Sequence, residues 1–161
     1  MSISQTGEVT IRPACFPGDA AGLKELVREY FSWLELPTTH RGFAEELENL
    51  EIHYTPPSGV FLLLVRGDGL LGCVALLSHG KEVAEVKRLY VRQQYRGMMF
   101  GESLMSSAIE EARTRSFQEL ILGAIPKTTS AQALYRKLGF TGAEPFYPDP
   151  PEGTSFYKLS L

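Results

Sequence analysis

The chain has 161 residues, 43% hydrophobic and 22% charged, a composition that suits a packed globular domain and excludes a disordered or low-complexity protein. Its net charge of −3 argues against general nucleic-acid binding, which needs a basic face. The longest apolar run, Val60 to Val65, is far too short to cross a bilayer, so no membrane role is expected.

Glu8 to Arg12 alternates in polarity and is predicted as a first strand. Pro17-Gly18-Asp19 stops it and sets Asp19 to cap a helix. Leu23, Leu26, Val27, Tyr30, Phe31 and Leu34 then recur at helical spacing as one apolar stripe. Pro37 is expected to end that helix, and Phe43, Leu47 and Leu50 predict a short second one before Pro56-Pro57. Val60 to Arg66 and Leu70 to Leu77 read as strands joined by a turn at Gly67-Asp68-Gly69. Ser78-His79-Gly80-Lys81 makes the next turn into Val83 to Val91, which completes an antiparallel meander.

A helix follows, with Leu104, Met105, Ala108, Ile109 and Ala112 on one face. Glu119 to Gly123 is a short strand, so residues 83–123 form a strand-helix-strand unit. Ala131, Leu134, Tyr135 and Leu138 mark a last helix, closed by Gly139 in the usual C-terminal glycine position. Phe140 to Ala143 and Ser155 to Leu161 are strand-like and flank a Pro-rich loop from Pro145 to Gly153. Without repeat or linker, residues 1–161 read as a single α/β (α+β) domain with a mixed sheet.

Charge is distributed unevenly. Residues 1–55 carry nine acidic and four basic side chains, a net −5, whereas residues 81–100 carry five basic and two acidic ones, a net +3. That division fits either one cationic and one anionic ligand or simply solvated faces. Cys15 and Cys73 have neither disulfide-framework nor metal spacing, and read as reduced structural residues of a cytoplasmic protein. Met1 to Gln5 carries no basic stretch followed by an apolar block, so no secretion signal is expected. His40, His53 and His79 form no ligand cluster and are taken as surface residues.

Gly67-Asp68-Gly69-Leu70-Leu71-Gly72 matches G-x-G-x-x-G, yet a dinucleotide site needs that loop to open a helix. Cys73 to Leu77 reads as a strand, so the match is a hairpin turn. The informative stretch is Glu85 to Leu104: a strand, a short glycine-containing loop and an amphipathic helix. Free N–H groups and the positive dipole end at such a helix start form an anion site, and glycine lets the backbone approach closely. Arg92 and Arg96 add positive charge beside it, and a pyrophosphate would suit this place.

The same stretch resembles the central motif of the GNAT N-acetyltransferases, [Q/R]-x-x-G-x-[G/A]. Gln94-Tyr95-Arg96-Gly97 fit its first four positions, and Gly101 fits a later glycine. Met99 stands where Gly or Ala is usual. Downstream, Ala131-Gln132-Ala133-Leu134-Tyr135-Arg136-Lys137-Leu138-Gly139-Phe140 is similar to the family's A-x-x-L-Y-x-x-L-G-F segment, with Thr128 where Asn is frequent. The two motifs cover about a third of the chain.

The resemblance implies a twisted, mainly antiparallel sheet of six or seven strands with about four helices. It implies acetyl-CoA as cosubstrate. Leu89, Tyr90 and Val91 would pair with the pantetheine arm like an added strand. Gln94, Arg96, Gly97, Met98, Met99, Phe100, Gly101 and Glu102 would hold the pyrophosphate. The acceptor would be an amine entering beside the first two helices and the late loops, where Phe146, Tyr147 and Phe156 either wall the pocket or staple the last strands.

Acetyl transfer to an amine needs a deprotonated nucleophile, a polarised carbonyl and a protonated leaving thiolate. Glu85 is the candidate base, against a plain solvent-facing carboxylate. Tyr135, in the family's tyrosine position, is the candidate acid, against a core aromatic. A backbone N–H around Lys87 to Leu89 is the expected polariser. The expected activity is therefore acetyl-CoA-dependent N-acetylation of a small-molecule primary amine. A non-catalytic acyl-CoA sensor, and acetylation of a protein N-terminus or lysine, are the alternatives. A homodimer is possible, as is common in the family.

Overall fold

The computed structural model describes residues 7–36 and 42–161. The expected helix stop at Pro37, the surface reading of His40 and the reading of Met1 to Gln5 lie outside the described residues. In chain order the elements are β1 (Val9–Pro13), α1 (Ala20–Leu34), α2 (Phe43–Glu48), α3 (Leu50–His53), β2 (Gly59–Arg66), β3 (Gly69–His79) and β4 (Val83–Val91). They continue through α4 (Phe100–Thr114), β5 (Glu119–Ala124), α5 (Thr129–Lys137), β6 (Thr141–Gly142) and β7 (Ser155–Ser160).

The strands form one seven-stranded sheet in the order β1-β2-β3-β4-β5-β7-β6. Tight turns make β2, β3 and β4 antiparallel neighbours. The connection from β4 to β5 passes through α4, and this crossover makes β4–β5 the parallel pair of the sheet. The G-x-G-x-x-G match is indeed a hairpin: Gly67 takes φ 57° between β2 and β3, and β3 begins at Gly69.

Two details at the N-terminal helices differ from expectation. Asp19 occupies the N-cap of α1 but makes no side-chain cap hydrogen bond. Its carboxylate instead accepts the Cys15 N–H at 2.7 Å and two bonds from the Arg12 guanidinium, locking the strand-to-helix turn. The expected second helix is two short ones broken at Asn49, whose side-chain amide donates to the Glu45 carbonyl and carboxylate at 3.0 Å. Such local bonds compete with helix continuation.

β2 is buried on both faces, so its side chains alternate between two cores. Phe61 and Leu63 pack with α1 residues Leu23, Leu26, Val27 and Phe31, and with Phe43, Leu47 and Tyr54 from the α2–α3 region. Val60, Leu62 and Leu64 face the opposite side, where Leu104, Met105, Ala108 and Ala112 of α4 lie fully buried. α5 contributes Tyr135 to that second core, and β7 contributes Tyr157. Helices therefore cover both faces of the sheet.

Candidate active site

β4 and β5 begin side by side and then part. Their ladder covers Val83–Glu85 against Glu119–Ile121, although β4 continues to Val91. β5 leaves to pair with β7 along its whole length, while β4 stays with β3. From Val86 onward β4 therefore has no strand on the β5 side, and a cleft opens through the sheet.

A β-bulge marks the parting. The β3–β4 register slips between Cys73 and Ala75, so that one extra β4 residue must be accommodated. Arg88 takes the irregular conformation, φ 59°, which costs a non-glycine residue about 1–2 kcal/mol. Three partners hold it. The Cys73 thiol donates to the Arg88 carbonyl at 3.2 Å, Glu46 of α2 accepts the Arg88 Nε–H at 2.8 Å, and the guanidinium lies 4.7 Å over the Phe31 ring. Burial pushes the Cys73 thiol up to about 12, so it stays protonated and inert, in keeping with a structural role.

Glu46 also accepts from the Lys87 ammonium at 3.0 Å and from the Tyr54 hydroxyl at 2.8 Å. Burial by itself would raise this carboxyl, but the charges of Arg88 and Lys87 and their hydrogen bonds outweigh burial and bring it down to about 2. Sequence reading counted Glu46 merely among the acids of residues 1–55. Nothing in its local pattern pairs it with residues 41 and 42 positions away. Part of the uneven charge is resolved in this way, for Glu29 of α1 also approaches Arg92, just past β4, at 3.5 Å.

The cleft holds two adjoining cavities. The smaller, about 110 Å³, lies between Glu85–Leu89 on one wall and Gly123–Ile125 on the other, with Tyr30, Tyr135 and Tyr147 reaching in. Glu85 and Tyr135, the two candidate catalytic residues, thus line one space. Glu85 is 8% exposed and Tyr135 7%. Burial holds the Tyr135 hydroxyl well above the ordinary tyrosine value, which keeps its proton in place.

His79, read from the sequence as a surface residue, is 43% exposed but has its Nε2 2.9 Å from Glu85 Oε1. It links the buried carboxylate to solvent. Its ring rests against Phe146, which packs edge-on against Tyr147 and Phe156. Tyr147 lines the cavity while Phe156 is buried against Gly123, so the aromatic cluster both walls the space and staples the strands.

The larger cavity, about 450 Å³, runs from Leu89, Tyr90 and Val91 along the open edge of β4 to Arg96, Gly97, Met99, Phe100 and Gly101 at the start of α4. This volume lies within the range of small-molecule sites. The first backbone N–H groups of α4 have no partner within the helix, and Met99, Phe100 and Gly101 at that end line the cavity. Met99, the N-cap, takes φ 63° and is 66% exposed, so its side chain leaves the backbone of the turn accessible. Gln94 and Met98 are exposed and do not line the groove, and Glu102 turns away to bridge Lys137 at 3.0 Å.

Of two further lining residues, Trp33 is not marked by the sequence, and Thr128 is marked there only as a departure from the family's frequent Asn. Trp33 of α1 forms the far wall, with the Arg96 guanidinium 4.6 Å over its ring and the Lys127 ammonium at 5.2 Å. Thr128 lines both cavities and donates its hydroxyl to the Ile125 carbonyl at 2.7 Å, so its side chain shapes the loop between them. Trp33 sits in an ordinary amphipathic stripe, and no local signal sets it apart.

The sheet thus parts beside its parallel pair, with a bulge at the split and a helix N-terminus at the end of the groove. The acetyltransferase (GNAT) family model matches residues 21–140, and the chain belongs to this family of acetyltransferases. An uncharacterized N-acetyltransferase of Schizosaccharomyces pombe is 30% identical over 155 residues, 95% of either chain. Among solved structures, a GNAT-family acetyltransferase from Staphylococcus aureus Mu50 superposes with a TM-score of 0.81 at 23% identity, covering 96% of this chain and 99% of that one. The PaiA N-acetyltransferase of Thermoplasma acidophilum, solved with coenzyme A, gives 0.75 at 18% identity, with 96% and 99% coverage.

Proposed function

We propose that the protein transfers the acetyl group of acetyl-CoA directly to the primary amine of a small molecule. The observation that carries this reading is the adjacency of the two cavities, which share Leu89 and Thr128 in their walls: a long groove with a cationic end lies beside a small chamber lined by a carboxylate and a protonated tyrosine.

The groove suits the cosubstrate. The unpaired edge of β4 from Leu89 to Val91 offers backbone groups to an extended pantetheine arm. The start of α4, with Arg96 and Lys127 nearby, suits a pyrophosphate. The thioester then lies at the bulge, where a backbone N–H around Lys87 to Leu89 polarises its carbonyl.

An alkylammonium has a pKa of about 10.4, so the acceptor arrives protonated and must lose that proton. Glu85 takes it, directly or through one water. The amine nitrogen attacks the thioester carbonyl carbon, the tetrahedral intermediate collapses, and the C–S bond breaks. Tyr135 delivers a proton to the departing sulfur, and the nitrogen, cationic after attack, gives up its second proton to restore the Tyr135 hydroxyl, leaving the amide, free CoA and one proton on Glu85. Attack is direct, so Cys15 and Cys73 take no part, consistent with the high pKa of Cys73.

Calorimetric titration with acetyl-CoA, CoA, NAD and ATP tests the donor. Trp33, the single tryptophan, sits in the groove wall and supplies a parallel fluorescence signal. Acetyl-CoA should bind selectively and change Trp33 emission, after which free-thiol release identifies amines that react. Failure to bind CoA or acetyl-CoA would sink the reading.

A further inference from the structure

We infer that the acceptor carries a carboxylate beside its amine, an amino-acid-type acceptor whose anion is received by Arg88 and Lys87 while its amine meets Glu85. This rests on the reading of the inner chamber as the acceptor site.

Lys87 and Arg88, the two cations of the chamber wall, share one ion-pair partner among the described residues. Their side chains are only 20% and 16% exposed. Their one carboxylate partner among the described residues is Glu46, so the trio keeps one positive charge. Glu85 lines the same chamber but forms no ion pair with either cation among the described residues; its carboxylate is turned to His79. A half-buried surplus charge is costly unless a counter-ion completes it.

Arg88 also has the geometry to bind one. Its Nε–H is spent on Glu46, and its two terminal nitrogens hydrogen-bond to no described residue. A guanidinium fork held by Glu46 on one side and by the Phe31 face beneath is preorganised for a planar carboxylate. The pyrophosphate site cannot supply the missing anion, because it lies at the α4 end of the adjoining groove, whose lining includes neither Lys87 nor Arg88. Glu85 and the Arg88–Lys87 pair thus set a negative and a positive pole in one small chamber, which matches a zwitterion.

The test compares kcat/KM for thiol release, with saturating acetyl-CoA, across matched acceptors: L-alanine against L-alaninamide, glycine against glycinamide, and L-phenylalanine against phenethylamine. L-Aspartate is added for a second acid group. The acids should be preferred by about 30-fold or more, the scale expected when one partner of a buried hydrogen-bonded charge pair is lost. The amides have the less basic amines, so chemistry alone would favour them. Arg88→Lys and Lys87→Gln should each narrow the ratio about tenfold, chiefly through KM for the acids. Arg88 holds the bulge, so if Arg88→Lys fails to fold, Lys87→Gln decides alone, with folding checked by circular dichroism. Amides and plain amines used as well as the acids, or a preference unchanged in Lys87→Gln, would overturn the inference while leaving the acetyltransferase reading intact. Binding of acetyl-CoA with no amine of any kind acetylated would overturn both.

Discussion

At the scale of single residues, Glu85 and Tyr135 face each other's chemistry across one chamber, but their environments differ. Tyr135 is enclosed, and burial raises its pKa, so the hydroxyl remains an intact proton donor through neutral and mildly alkaline pH. Tyr135→Phe should therefore cut kcat by about 10²-fold, the scale of one general acid, while acetyl-CoA affinity measured calorimetrically stays nearly the same. Unchanged turnover would remove tyrosine from the mechanism. Glu85 is tied to a half-exposed His79, which would give a proton taken up by Glu85 a way out. Glu85→Gln should lose rate at pH 7 and recover much of it toward pH 10, where the amine deprotonates unaided. A pH–rate profile that stays flat and low would assign Glu85 to structure or binding.

At the scale of elements, function is built on one irregularity. β4 must stay bonded to β3 while separating from β5, and the bulge at Arg88 supplies the bend. Close approach of β3 is part of this arrangement. A Cβ placed on Gly72 would lie 2.6 Å from the Tyr90 carbonyl oxygen, nearer than real contacts permit. Gly72→Ala should push β3 away from the functional end of β4, costing about 1–3 kcal/mol of stability. Acetyl-CoA binding should weaken in parallel, because Tyr90 and Val91 line the groove. Denaturant midpoints and a titration on the same variant check both effects; full stability would show that the strands have room to relax.

At the scale of the whole molecule, α2 and β4 are joined through Glu46, so a helix early in the chain fixes the backbone of the chemical centre. With the carboxyl at about 2 in the fold and near 4.5 when free, the folded value is depressed. The stabilisation is then complete above about pH 4.5 and is lost as pH falls toward 2. Thermal midpoints should decline through that interval in the natural protein. Glu46→Gln should flatten the decline and lower stability at pH 7 by about 3–5 kcal/mol, since two cations then lose their partner. An undiminished acid transition in the variant would place the titrating group elsewhere.

The order and type of elements were legible in the sequence because apolar periodicity, glycines and prolines act locally: the α1 stripe, the β2–β3 hairpin and the helix stop at Gly139 all follow from neighbours in the chain. The two motifs likewise fall on the groove around Gly97 and on the chamber residue Tyr135, since a glycine-containing turn into a helix leaves a compact local signature. The position of Asn49 as a break, by contrast, turned on a side-chain bond that propensity alone does not reveal. Glu46, Trp33 and the contact between His79 and Glu85 were decided by tertiary structure alone. Each is a chemically ordinary residue in an ordinary local pattern, and its role arises when the sheet parts and α1 and α2 are laid across it. Charges separated by 41 and 42 residues attract only once packing has brought them into a low-dielectric interior. Local patterns thus determined the framework and the groove at the start of α4, while the polarity of the inner chamber was settled by long-range packing.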